Sequence, residues 1–193
     1  MFVKVNSIGM FGMNSFGVGV EASIERGMPR FDLVGLPDAA VSESRDRVRS
    51  AIKNSDFYYP DGRVTVNLTP ADIRKEGPVY DLPILVALLV ASGQMSCDLK
   101  YSAFIGELSL SGKVRKITGA LPMVIKAKEL GIKEIFLPQQ NAGESCVVKG
   151  IDIYPVKSVR QLYDHFTGKA KIKKVTSAYY AEYSPNLKLS FYL

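Results

Sequence analysis

The chain has 193 residues, 47% hydrophobic and 23% charged, with a net charge of +6, the composition of one globular domain with or without a tail rather than of a disordered polymer. Its longest apolar run, residues 82–91, is interrupted by Pro83 and too short to cross a bilayer. The single histidine, His165, argues against a histidine-based triad or metal site, and Cys97 and Cys146 supply neither a disulfide framework nor metal-ligand spacing.

The opening, MFVKVNSIGMFGMNSFG, lacks the basic start and continuous apolar core of a signal peptide, so a cytoplasmic protein with no membrane contact is expected. Residues 3–8 and 18–24 read as strands joined by a flexible loop rich in Gly, Met and Asn. Residues 31–36 read as a third strand, ended by Gly35 and Pro37. Asp38 or Ser42 then caps a helix with Val41, Val48, Ala51 and Ile52 on its inner face. Its outer face carries Glu43, Arg45, Asp46, Arg47 and Arg49, and Glu43 and Arg47 have the spacing of a helical ion pair.

Asp61-Gly62 turns the chain into an alternating strand, 64–68, and a charged elbow, Arg74-Lys75-Glu76-Gly77-Pro78, follows. The next helix is apolar almost all round, so it belongs at the centre of a core. Asp81 suits its N-cap, with Pro83 in the first turn.

The stretch AFIGELSLSGKVRKI reads as a hairpin turning at Ser111-Gly112. Residues 121–130 give an amphipathic helix stopped by Gly131. Short strands are expected at 134–137, 147–149 and 152–156, and a last helix capped by Ser158 ends at Gly168. Strands interleaved with helices make residues 1–168 one α/β domain of the α+β two-layer kind.

Residues 169–193 change character, basic first and then tyrosine-rich, and read as a tail or linker. Residues 157–174 carry a net charge of +5, whereas residues 1–156 carry only +1. Leu187, Leu189, Phe191 and Leu193 alternate with polar neighbours, as in a strand needing a sheet edge.

Neither GMFGMNSFG nor AGESCVVKG matches the G-x-x-x-x-G-K-[ST] phosphate loop, so no nucleotide site and no cofactor are expected in this chain. Asp72, Glu76 and Asp81 crowd the elbow and suit acid–base chemistry. The plainer reading, and the one adopted, is a turn residue, a charge beside Arg74 and Lys75, and a helix cap. Arg45, Arg47 and Arg49 offer phosphate contacts or simply a solvated helix face. Lys169, Lys171, Lys173 and Lys174 are the stronger candidates for DNA, single-stranded or branched, the alternative being a solvated linker. Tyr179, Tyr180 and Tyr183 suit stacking on bases or docking of the linker.

VGLPDAAVSESRDRVRSAIKNSDFYYP, followed by VTVNLTPADIRKEGPVYDLPILVALLVASGQ, closely resembles the magnesium-chelatase-like AAA+ ATPases, the bacterial family that includes the ComM and YifB competence-type proteins. The likeness continues through FIGELSLSGKVRKITGALPMVIKAKELGIKEIFLPQQNAGE to about residue 168. It implies an N-terminal domain with the ribosomal-protein-S5 domain-2-like fold of the Lon proteolytic domain. It also implies a following AAA+ motor that uses ATP and Mg2+, assembles as a ring and drives DNA branch migration in natural transformation and recombination. Where Lon-type proteases place a nucleophilic serine and its activating lysine, this sequence has Val79 and Pro122, so no catalytic residue is expected. A residual Lon-type peptidase is the less favoured reading, and a purely structural oligomerisation module is the main alternative to DNA engagement.

Overall fold

Alternating valines at the start of the chain build a long antiparallel hairpin of β1 (Phe2–Phe11) and β2 (Asn14–Glu25). The computed structural model describes residues 2–175, so the alternation at 187–193 and the tyrosines at 179, 180 and 183 lie outside the described residues. The glycine-rich stretch at the tip is not the flexible loop expected from its composition. The ladder runs to Phe11 opposite Asn14, and Gly12, at φ 59°, makes the turn possible. Pairing of backbone groups along the ladder outweighs the intrinsic looseness of those glycines.

The chain continues through β3 (Arg30–Val34), α1 (Ala39–Ser42), α2 (Ser44–Asn54), β4 (Arg63–Thr69), a 3-10 turn (Pro78–Tyr80) and α3 (Asp81–Ala91). There follow β5 (Ser102–Phe104), β6 (Glu107–Leu108), β7 (Val114–Arg115), α4 (Ala120–Glu129), β8 (Glu134–Pro138), α5 (Gln139–Ser145), β9 (Asp152–Val156) and α6 (Val159–Phe166). Seven strands form one sheet in the order β3-β4-β2-β1-β5-β8-β9, while β6 and β7 pair as a separate small hairpin. Pairing is antiparallel for β1–β2 and β2–β4 and parallel at the other junctions. The result is the mixed α/β domain expected.

Val3, Val5, Val18, Val20, Ala22, Val64, Val66 and Leu68 all lie on the buried face of the sheet. There α3 packs across β1 and β2, buried at every position except Val90. A helix with no polar stripe is stable only under such cover. The other face is polar in part, where Asn67 donates to Glu21 at 3.0 Å and Lys4 approaches the same carboxylate at 4.0 Å, and apolar at the buried Ile8.

Three expectations need correction. The helix expected after Asp38 is two helices: Asp38 caps α1 by accepting from the Val41 N–H at 2.7 Å, and the axis breaks at Glu43 before α2. The strand expected at 147–149 is a turn, and the segment before it folds as α5. Nothing in QQNAGES has helical periodicity; burial of Asn141, Ala142 and Ser145 against the neighbouring elements imposes the helix. Finally, Asp81 is not the N-cap of α3 but its first residue, at φ −57° and ψ −49°. The Leu82 N–H at that helix start is taken instead by the Gly106 carbonyl at 3.0 Å.

Candidate functional site

The loop between β4 and α3 folds around its own lysine. The Lys75 side chain is fully buried; its ammonium donates to the carbonyls of Pro70 and of Ile73, the latter at 2.7 Å. Burial pushes the Lys75 amine below its ordinary pKa, and Asp72 opposes that shift. The backbone of Lys75 donates to Leu36 O and accepts from Asp38 N, both at 3.0 Å. Asp38 in turn uses its second carboxylate oxygen to hold the Gly77 N–H at 3.1 Å. One carboxylate therefore caps α1 and fixes the glycine that opens the 3-10 turn.

Beyond Gly77 lies a cleft of about 520 Å³, with Val79 on one side and Lys116, Ile117, Thr118 and Met123 on the other. Pro122 sits in the first turn of α4, next to Met123. Of the two positions where Lon-type proteases place a serine and a lysine, Val79 lines this cleft and Pro122 is the neighbour in sequence of its lining residue Met123; they carry an isopropyl group and a pyrrolidine ring. Neither attacks a carbonyl nor accepts a proton. Among the described residues Thr118 and Lys116 make no hydrogen bond to each other, and Ser92, Ser109 and Ser111 lie outside the cleft lining.

The strap 116–118 is held by Asn141, which is fully buried. Its Oδ1 accepts from Ile117 N at 3.0 Å, and its Nδ2 donates to Ile117 O at 2.8 Å and to Glu144 at 2.6 Å. Sequence reading missed the roles of Asn141 and Lys75, and the cleft lining by Lys116 and Thr118. The Asn141 partner Ile117 lies 24 residues away, and the Lys75 partners are backbone carbonyls that no residue type announces.

Asp81 has become a junction rather than a cap. Its carboxylate is fully buried and accepts from Ser44 Oγ at 2.5 Å, Arg47 Nε at 2.7 Å, another Arg47 nitrogen at 3.0 Å and Leu108 N at 3.0 Å. Four donors around a buried carboxylate are worth more than one cap bond, which explains its inward turn. Next to it, the Tyr80 hydroxyl is buried with no hydrogen-bond partner among the described residues, and burial pushes its pKa up, with Asp38 and Glu76 adding to the rise.

The expected DNA-contacting residues separate into groups. Arg47 is engaged: besides Asp81 it donates to Ala40 O at 2.7 Å and pairs with Glu43 at 3.4 Å, the helical ion pair expected. Its guanidinium is held above its ordinary pKa, first by the Asp81 hydrogen bond. Arg45 and Arg49 stay exposed, the first paired with Asp46 at 3.1 Å, the second lying over the Tyr59 ring at 5.6 Å. The Tyr59 hydroxyl is pushed up to about 12 by burial, against the pull of Arg49 and Arg45.

The four lysines after α6 are exposed, but the segment bearing them is docked. Ile172 is buried, its N–H donates to His165 Nδ1 at 2.9 Å, and Val175 N donates to Ile153 O at 2.9 Å. Lys171 donates to His165 O at 3.0 Å, and Lys174 reaches both oxygens of Asp152 at 3.0 Å. Lys169 and Lys173 make no ion pair among the described residues. Also among the described residues, no group of three or more His, Cys, Asp or Glu side chains is placed to hold a metal ion, and no helix is long and apolar enough to cross a membrane.

The family model "Subunit ChlI of Mg-chelatase" matches residues 20–141. Competence protein ComM of Haemophilus influenzae is 38% identical over 173 residues, covering 89% of this chain and 34% of that protein. The uncharacterised protein YifB of Escherichia coli is 42% identical over 147 residues, 76% of this chain and 29% of its own length. Lon protease 2 of Bacillus subtilis is 24% identical over 180 residues, 83% of this chain and 32% of the protease. The chain spans about a third of the length of the curated relatives it matches.

Proposed function

The chain belongs to the Mg-chelatase-like family of ChlI, ComM and YifB, and from that premise we propose that it is a non-catalytic, Lon-like domain assisting the assembly or DNA engagement of an ATP-driven AAA+ motor. The observation that carries the non-catalytic reading is the cleft wall at Val79: the positions that the Lon resemblance gives to a serine–lysine pair hold Val79, which lines the cleft, and Pro122, in the first turn of α4. ATP and Mg2+ belong, in this proposal, to the motor.

The DNA reading is supported by the docked segment. Anchoring by Ile172 and His165 removes part of the entropy cost that a loose tail would bear on binding, and leaves Lys169 and Lys173 free to meet a phosphate backbone. Arg45 and Arg49 are secondary contacts, and Arg47 is withdrawn from the set because Asp81 already satisfies it. The competing reading is a structural module without DNA contact.

Fluorescence anisotropy with single-stranded and branched DNA across a salt series separates the two. DNA engagement predicts affinity falling steeply with salt. It also predicts that a double change, Lys169→Ala with Lys173→Ala, lowers the salt slope by about 1 for each lysine that neutralises a phosphate. No binding at low salt sinks the DNA reading. Turnover of unfolded protein substrate by the purified chain overturns the non-catalytic one.

A further inference from the structure

The two edges of the seven-stranded sheet are finished differently. At β9, Pro155 has no N–H, and the returning chain closes the edge where Val175 donates to Ile153. At β3, the outer edge meets no strand among the described residues. Arg30 N points inward, donating to Gly62 O at 3.1 Å, so strand alternation turns the N–H and C=O groups of Phe31 and Leu33 outward. The strand carries no proline within Arg30–Val34, the kind of edge that proteins usually blunt.

Its side chains are self-complementary. Arg30 and Asp32 share one face, in contact at 2.7 Å, and Phe31 and Leu33 share the other. If a second copy runs antiparallel with Phe31 opposite Phe31, each Arg30 falls opposite an Asp32. The same register sets the exposed Val34 (46%) against the exposed Met28 (88%). Sliding one strand by two residues, to Asp32 opposite Asp32, would put like charges face to face. Beside the strand a groove of about 700 Å³, bordered by Arg45, Arg49 and Tyr59, gives the incoming Phe31 room.

We propose that β3 is a two-fold pairing edge, through which two copies of this chain join their sheets antiparallel in the register that centres on Phe31. The surface is isologous, so one strand supplies both halves of the contact. The proposal is independent of the non-catalytic reading and of the DNA contacts at Lys169 and Lys173, and it meets the DNA reading only at the secondary contacts Arg45 and Arg49, which border the groove.

Sedimentation velocity on the full chain over roughly a hundredfold range of concentration tests it, with a mass that rises from one copy to two as the expected result. Arg30→Asp and Asp32→Arg, each alone, place like charges opposite one another and are expected to weaken pairing at least about tenfold. An equimolar mixture of the two variants should pair again, because a strand with two acids then meets a strand with two bases. Far-ultraviolet circular dichroism and thermal melts check that each variant is folded, since Asp32 also pairs with Arg63 at 3.3 Å. Val34→Lys probes the same register at an exposed position without touching those ion pairs, and is expected to weaken pairing several-fold. A wild-type chain that stays a monomer throughout overturns the proposal. So does a dimer indifferent to Val34→Lys and to both charge reversals, or folded charge variants that fail to pair when mixed.

Discussion

At the scale of single residues, the most consequential side chain is Asp81. It joins α2, α3 and β6 through bonds to Ser44, Arg47 and Leu108, so Asp81→Ala leaves a half-buried guanidinium without its buried counter-charge and with only the exposed Glu43 beside it. Loss of one partner from such a pair costs about 3–5 kcal/mol, and urea denaturation should show a drop of that order for Asp81→Ala. Arg47→Ala should cost a similar amount, and the double variant far less than the sum. Tyr80 makes the opposite case. Its hydroxyl has no partner among the described residues, so Tyr80→Phe should be neutral or stabilising by up to about 1 kcal/mol. Gly9 lies against that hydroxyl, and a methyl added there would overlap it and the Phe16 ring. Gly9→Ala should therefore destabilise by about 1–3 kcal/mol, with part of the loss recovered on the Tyr80→Phe background. The acidic elbow was visible in the sequence, but the arginine partner of Asp81 lies 34 residues earlier. Spacing within the elbow gave no sign of it, so the cap reading had the local rules on its side and lost to a buried guanidinium.

At the scale of elements, legibility followed periodicity. The β4 strand, α3, α4 and α6 announced themselves through alternation, continuous apolarity or caps; Ser158 accepts from Gln161 N at 3.2 Å as expected. The α5 helix had no such signal, since its reason to exist is Asn141 gripping Ile117. The segment 169–175 looked like linker because lysines dominate it, and only the contacts of Ile172 show it as a docked strap. That strap gives a pH dependence with a definite sign. His165 Nδ1 accepts the Ile172 N–H, so the neutral ring is the form that holds the strap. Burial, then Lys171, lowers its pKa below the ordinary 6.5, with Glu134 opposing. A histidine depressed in this way contributes its full stability above about 6.5 and loses it as the pH falls through that value, because the unfolded ring takes the proton more readily. The thermal midpoint should fall from pH about 7.5 to about 5.5, and His165→Gln should flatten the dependence. A slope unchanged in His165→Gln would place the titration elsewhere.

At the scale of the whole molecule, the sequence carried the family and the layer arrangement, through long motifs on either side of the elbow and the apolar α3. It did not carry the strand order. That order depends on which edges meet in space, and a one-dimensional pattern of valines is the same for a central strand and a border one. Nor did it carry the cleft, whose walls come from the 3-10 turn and from α4, segments far apart along the chain. What the domain presents is a frame around a cleft that has Val79 and Lys116 in its lining, and a separate docked segment that exposes Lys169 and Lys173.

The closed border at β9 has one more consequence. Only a sheet with two pairing-competent borders has a geometry that adds copies without limit, the route to fibres. Here the chain's own return at Val175 has sealed one margin of the seven-stranded sheet, so a union through β3 consumes the margin of that sheet left open among the described residues. Crowding then completes a finite pair, and the route to an endless ribbon is shut by a short run of lysine-rich chain.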